Sequence, residues 1–112
     1  YCFSGKPKFI LSSFFGSEVF CTYDSDFNIL KNNILIKGTA YIETEADENV
    51  KKACELSKIL STDFDFVRVD WMKYKNRFYF LELTFTPFSG FYKFCNKTAD
   101  LKLGNLIERI GN

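Results

Sequence analysis

The chain contains no histidine. Acid–base catalysis through an imidazole is therefore excluded, and so is the mixed Cys/His type of zinc site. The four cysteines, Cys2, Cys21, Cys54 and Cys95, are scattered, with no two close enough to form a ligand pair in sequence. They read as small hydrophobic residues in a reduced, cytoplasmic protein, with one disulfide pair as the alternative. An excess of either charge is also missing: 15 basic residues meet 14 acidic ones, for a net charge of +1. No broad electrostatic footprint for nucleic acid or an anionic membrane follows from that balance. No apolar run approaches the roughly 18 residues of a membrane span, and no signal-peptide pattern opens the chain. Repeats, low-complexity tracts and linkers are absent, so residues 1–112 read as a single domain. An initiator methionine is absent as well, and the chain begins inside a strand-like pattern. The expectation is a fragment of a longer protein.

What is present is ring surface. Aromatic residues make up 19% of the chain and 14 residues are phenylalanine. That area needs a substantial core or a neighbour to cover it. With 46% hydrophobic and 26% charged residues, the composition is that of a globular protein.

Residues 1–15 alternate around Ser4-Gly5-Lys6-Pro7, which marks a turn between strands at Tyr1–Phe3 and Lys8–Phe14. Tyr1, Phe3, Phe9 and Leu11 share one face there, and that face is expected to be buried. A further strand is read over Ser17–Tyr23, ended by an Asx-type turn at Asp24-Ser25-Asp26. Ile34-Leu35-Ile36 suggests a short strand or a loop edge. Residues 43–62 read as the main helix, with Asp47 as N-cap and Val50, Ala53, Cys54, Leu56, Ile59 and Leu60 as an apolar stripe. After Pro87, Ser89-Gly90 permits a tight turn. A short helix follows from about Leu101 to Ile110.

The most informative stretch is Asp65–Pro87, DFDFVRVDWMKYKNRFYFLELTFTP. It reads as a β-hairpin, with strands Phe66–Tyr74 and Phe78–Thr86 and a turn at Lys75, Asn76 and Arg77. That loop length sets Tyr74 opposite Phe78, Asp70 opposite Glu82 and Arg68 opposite Thr84. One face then carries Arg68, Asp70, Met72, Phe80, Glu82, Thr84 and Thr86. The other carries Val67, Val69, Trp71, Tyr79, Leu81, Leu83 and Phe85, and faces the helix stripe. A two-residue turn would instead set Arg68 and Asp70 beside Leu81 and Leu83, wasting both faces, because a slip of one residue inverts every side chain. Two acids directly opposite one another repel. A divalent cation reverses that, and hard cations such as Mg²⁺ share carboxylate oxygens with substrate phosphates. The face therefore reads as a metal–phosphate site with Asp70 and Glu82 as ligands. The alternative is a solvated hairpin face in which Arg68 neutralises one acid. Stacking of single-stranded nucleic acid on the aromatics would need a basic groove, which the acids and the charge balance oppose.

YCFSGKPKFI at the start, YDSDFN at residues 23–28, LSTDFDFVRVDWMKYKNRFYFLELTFTPFSGF and the closing DLKLG together resemble the TupA-like ATP-grasp family. The likeness runs in order over most of the chain and is strongest at residues 60–91. It implies an α+β fold: an antiparallel sheet with one main helix packed on one face and a short C-terminal helix, forming the C-terminal lobe of an ATP-grasp fold. It also implies the chemistry of the superfamily. ATP sits between two lobes, its γ-phosphate passes to a carboxylate, and an amine or other nucleophile attacks the acyl phosphate. D-alanine–D-alanine ligase holds Mg²⁺ with an acid on one strand and acid-x-Asn on the next, with an arginine two residues before the first acid. Arg68-Val69-Asp70 and Glu82-Leu83-Thr84 fit that pattern, with Thr84 in place of the usual asparagine. By the same resemblance Arg68 is the catalytic residue, Asp70 and Glu82 hold the metal (Mg²⁺, or Mn²⁺), and Thr84, Thr86, Ser89 and Gly90 approach phosphate or an acyl group.

The glycine-rich phosphate loop and the adenine-side lysine of such enzymes are not visible in the chain. The implied partners are an N-terminal ATP-grasp lobe and carboxylate and amine substrates, with no nucleic acid and no membrane span. The family is associated with cell-surface polysaccharide and polymer gene sets. The expected function is thus the C-terminal part of a ligase for a teichuronopeptide-type polymer, and the alternative is a non-catalytic ATP-grasp-like binding domain.

Overall fold

The computed structural model describes residues 1–13, 19–30 and 40–85, together with Lys97, Leu101 and Asn105. The chain opens in a tight hairpin of β1 (Cys2–Phe3) and β2 (Lys6–Pro7), paired Cys2↔Pro7 and Phe3↔Lys6. Ser4 and Gly5 turn it at φ 48° and 73°. A side chain on Gly5 would sit 3.2 Å from the Cα of Thr62, so both the left-handed backbone and the space call for glycine. The β3 strand (Phe9–Ser13) pairs antiparallel with β4 (Val19–Asp24), which pairs parallel with β5 (Ala40–Tyr41). The helix α1 (Glu48–Ser61) then leads into β6 (Phe66–Tyr74) and β7 (Arg77–Thr84).

These elements make an α+β fold with two sheets, one ordered β2-β1-β6-β7 and the other β3-β4-β5. The expected single antiparallel sheet is thus divided in two, and the second sheet contains a parallel pair. β1 is an inner strand with both faces covered, which explains why neighbouring Cys2 and Phe3 are both buried. On one side the Phe3 and Phe66 ring centroids lie 5.1 Å apart, and Tyr1 packs between Phe9 (5.0 Å) and Phe66 (6.4 Å). Leu11 and Leu30 close over Phe9. The predicted burial holds for Phe3 and Phe9, while Tyr1 and Leu11 are partly buried. On the other side lies α1.

Asp47 caps the helix as predicted, its Oδ1 accepting the Val50 amide at 2.9 Å. The buried stripe matches the expected one at Ala53 and Cys54 and departs from it elsewhere. Ala53, Cys54, Ser57 and Ser61 face the sheet, whereas Leu56, Leu60 and above all Ile59, at 72% exposure, do not. Small side chains let the helix approach β1 and β6 closely, and the two serines satisfy their hydroxyls within the helix. Ser57 Oγ donates to the Ala53 carbonyl at 2.7 Å, and Ser61 Oγ to that of Lys58 at 3.4 Å.

The Asx turn at Asp24 forms as predicted. Its Oδ1 accepts the amides of Asp26 (2.9 Å) and Asn28 (3.0 Å). Cys2, Cys21 and Cys54 are buried free thiols, and burial pushes the Cys54 thiol up to about 11. Cys95, the Ile34–Ile36 segment and the Ser89-Gly90 turn lie outside the described residues. Of the expected C-terminal helix only Leu101 and Asn105 are described, the Asn105 amide donating to the Leu101 carbonyl at 3.0 Å.

Candidate metal–phosphate site

β6 and β7 are joined by two residues, Lys75 and Asn76, at φ 47° and 59°, the double left-handed turn that suits twisted strands. Tyr74 therefore pairs with Arg77, and the expected three-residue turn with Tyr74 opposite Phe78 is corrected. The ladder runs Lys73↔Phe78, Met72↔Tyr79, Trp71↔Phe80, then shifts between Asp70 and Trp71 and resumes as Asp70↔Glu82, Val69↔Leu83, Arg68↔Thr84. Leu81 is the extra residue of a β-bulge. The turn is one residue shorter than expected and the bulge inserts one residue before Glu82, so the two departures cancel at the acids. Asp70 faces Glu82 as the sequence pattern required. Beyond the bulge the faces change. Phe80 joins Trp71, ring centroids 5.7 Å apart and edge-on, instead of sharing a face with Asp70. Leu81, expected under the helix, is exposed.

The acids do not meet unassisted. Arg68 grips Asp70 with two parallel bonds, Nε to Oδ1 and Nη2 to Oδ2, each 2.8 Å. Its Nη2 also reaches Thr84 Oγ1 at 3.4 Å and Glu82 Oε1 at 3.7 Å. Thr84 Oγ1 in turn donates to Glu82 Oε1 at 3.2 Å. One guanidinium thus spans both carboxylates and the hydroxyl, the planar fork that lysine could not supply. Burial pulls the Arg68 pKa down, but Asp70 and the Tyr1 phenol beside it outweigh that and raise it overall, so it stays charged.

Arg68 and Asp70 are sunk into the surface, with side chains 22% and 24% exposed, while Glu82 is 62% exposed. Arg68 and Asp70 also line an open cleft of about 720 Å³, bordered by Leu11, Ser13, Asp47 and Trp71. The donors are all oxygen, which suits a hard cation. Each Asp70 oxygen keeps a lone pair beside its bond to Arg68. Among the described residues no three His, Cys, Asp or Glu side chains gather. A cation on Asp70 and Glu82 would complete its shell with water or phosphate oxygens, as Mg²⁺ commonly does. Of the residues expected at the site, Arg68, Asp70, Glu82 and Thr84 come together; Thr86, Ser89 and Gly90 lie outside the described residues.

Two contacts escaped the sequence reading. Trp71 Nε1 donates to Ser57 Oγ at 2.8 Å, tying the hairpin to the buried face of α1. Lys73 Nζ reaches the capping Asp47 Oδ2 at 3.4 Å. A serine one turn after Ala53 was the available signal for the first: a polar residue on an otherwise small, buried ridge needs a partner.

The structure thus defines an α+β protein with a hairpin face on which Arg68 gathers the oxygen donors of Asp70, Glu82 and Thr84. The model of the TupA-like ATPgrasp family matches residues 1–108, and the chain belongs to that family. Comparison with curated proteins finds no match, and neither does comparison with solved structures. Among the described residues no helix is long and apolar enough to cross a membrane.

Proposed function

We propose that the chain is the C-terminal part of an ATP- and Mg²⁺-dependent ligase. In this reading the hairpin face handles the triphosphate, a carboxylate is activated as an acyl phosphate, and an amine completes the bond. The product belongs to cell-surface polymer assembly of the polysaccharide or teichuronopeptide type, made in the cytoplasm. The supporting observation is the direct opposition of Asp70 and Glu82 across the strands, with Arg68 reaching both.

Asp70 and Glu82 would hold Mg²⁺ (or Mn²⁺), whose contribution is charge neutralisation and orientation of phosphate oxygens. Arg68 orients Asp70 and offers permanent positive charge to a transferring phosphoryl group. Thr84, where related ligases use asparagine, keeps a hydroxyl against Glu82. Thr86, Ser89 and Gly90 complete the phosphate or acyl contacts in this proposal. The adenine-side groups belong to an N-terminal lobe. Measurement of Mn²⁺ binding to the full-length protein with ATP tests the assignment: Asp70→Asn should weaken it more than tenfold, and unchanged affinity would overturn it.

A second reading, a non-catalytic ATP-grasp-like binding domain, is favoured by Thr84, whose hydroxyl is already engaged by Arg68 and Glu82. Metal–nucleotide binding without turnover on any carboxylate–amine pair would select it.

A further inference from the structure

The two-residue turn, continued without interruption, would pair Asp70 with Leu81 and Arg68 with Leu83. The acids oppose one another only because Leu81 is bulged out between the pairs Trp71↔Phe80 and Asp70↔Glu82. Something must hold the bulge at that step. On the far side of the step, Trp71 is clamped. Its indole N–H is held by Ser57 Oγ at 2.8 Å, Ser57 is itself held by the Ala53 carbonyl at 2.7 Å, and the ring takes the edges of Phe78 and Phe80 at 6.5 and 5.7 Å. On the near side, Arg68, Asp70, Thr84 and Glu82 are bonded to one another. The helix is thus tied to β6 at the residue next to Asp70.

We propose that Ser57 and Trp71 are positioning residues for the Asp70–Glu82 pair: the Ser57–Trp71 hydrogen bond pins the bulge at Leu81 and so sets which β7 residue faces Asp70. This rests on the metal-site reading for its consequence, but the register claim can be read without metal. Deleting Leu81 removes the extra residue, and a regular ladder from the same turn then pairs Trp71 with Phe80 and Asp70 with Glu82 unaided.

The experiment uses the full-length protein in four forms: unaltered, Ser57→Ala, Leu81 deleted, and both together. Register is read from cross-strand backbone NOEs at Asp70–Glu82, and cation binding from free Mn²⁺ by EPR. In Ser57→Ala the Asp70–Glu82 NOE should weaken and Mn²⁺ affinity fall about three- to tenfold, the range expected for one lost hydrogen bond. In the double variant both should recover. A Ser57→Ala protein with unchanged NOEs overturns the inference. Weakened NOEs that Leu81 deletion does not restore also overturn it, because Ser57 then acts on the fold and not on register. Failure of Mn²⁺ binding in the unaltered protein, with the NOE changes as expected, would sink the metal reading and leave the register claim standing. Should Ser57→Ala not fold, Trp71→Phe, which keeps an aromatic ring but loses the indole N–H together with its five-membered ring, takes its place, and recovery of the NOE on Leu81 deletion is then the deciding outcome.

Discussion

The two halves of the β6–β7 hairpin differ in what holds them. The half nearest β1 is braced on three sides: Val67, fully buried, lies under the helix, Phe66 packs on Phe3 and Tyr1, and the Arg68 cluster ties the strands together. The half beyond the bulge is held by Trp71 and its aromatic neighbours, and then runs into solvent, where Lys73 through Arg77 are exposed. The charges of the braced half, Arg68, Asp70 and Glu82, are bonded to one another and so held to a geometry, whereas Lys73, Lys75 and Arg77 of the free half are exposed. Ring surface is concentrated in the free half, where Tyr79, Phe80 and Leu81 stay exposed. Rigid placement of polar groups comes from neighbouring layers more than from the ladder itself, because the ladder alone permits more than one register.

That contrast can be broken or sharpened. Arg68→Ala should have the largest effect, costing about 1–3 kcal/mol in urea unfolding, because it leaves a half-buried carboxylate without its bidentate partner. The same loss at the exposed tip should be small. Replacing the turn by Asn-Gly (K75N with N76G) should instead stabilise by about 1 kcal/mol. It removes a lysine from the left-handed region and matches the turn's backbone, and the check is a rise in the thermal midpoint. Helix α1 supplies an acid-side test. The Val50 amide bond holds the Asp47 carboxyl below its ordinary 3.8, slight burial opposes that, and Lys73 adds to it. A depressed folded pKa stabilises above the unfolded value and loses that contribution as pH falls through the folded one. Asp47→Asn keeps a cap but does not titrate, so its stability should fall less steeply below pH about 4. Lys73→Ala should do least, below about 0.5 kcal/mol, since its ion pair with Asp47 is exposed.

The Asp70–Glu82 pair was legible in the sequence because period-two alternation and a preference for burying Val67, Val69 and Leu83 leave few workable registers. The route to that pair was not. A three-residue turn and a two-residue turn with one bulge give the same pairing at Asp70, and composition does not separate them. Asn76 fits either turn. The helix start was legible because Asp47 stands before the acidic first turn. Its buried face was read in part: Ala53 and Cys54 were expected there, but Leu56, Ile59 and Leu60 outweigh Ser57 and Ser61 on any hydrophobic count. Close approach to a sheet selects for size, and size favours the small ridge.

Sequence by itself determined the α+β class, the N-cap, the Asx turn and the joining of two carboxylates on one sheet face, since each follows from local periodicity or from a side chain bonding its own backbone. Tertiary structure alone decided the split into two sheets, the helix face that is buried, and the placing of the bulge beside Trp71. Those depend on contacts between residues distant in the chain, such as Trp71 with Ser57 and Gly5 with Thr62, whose energies no local pattern records.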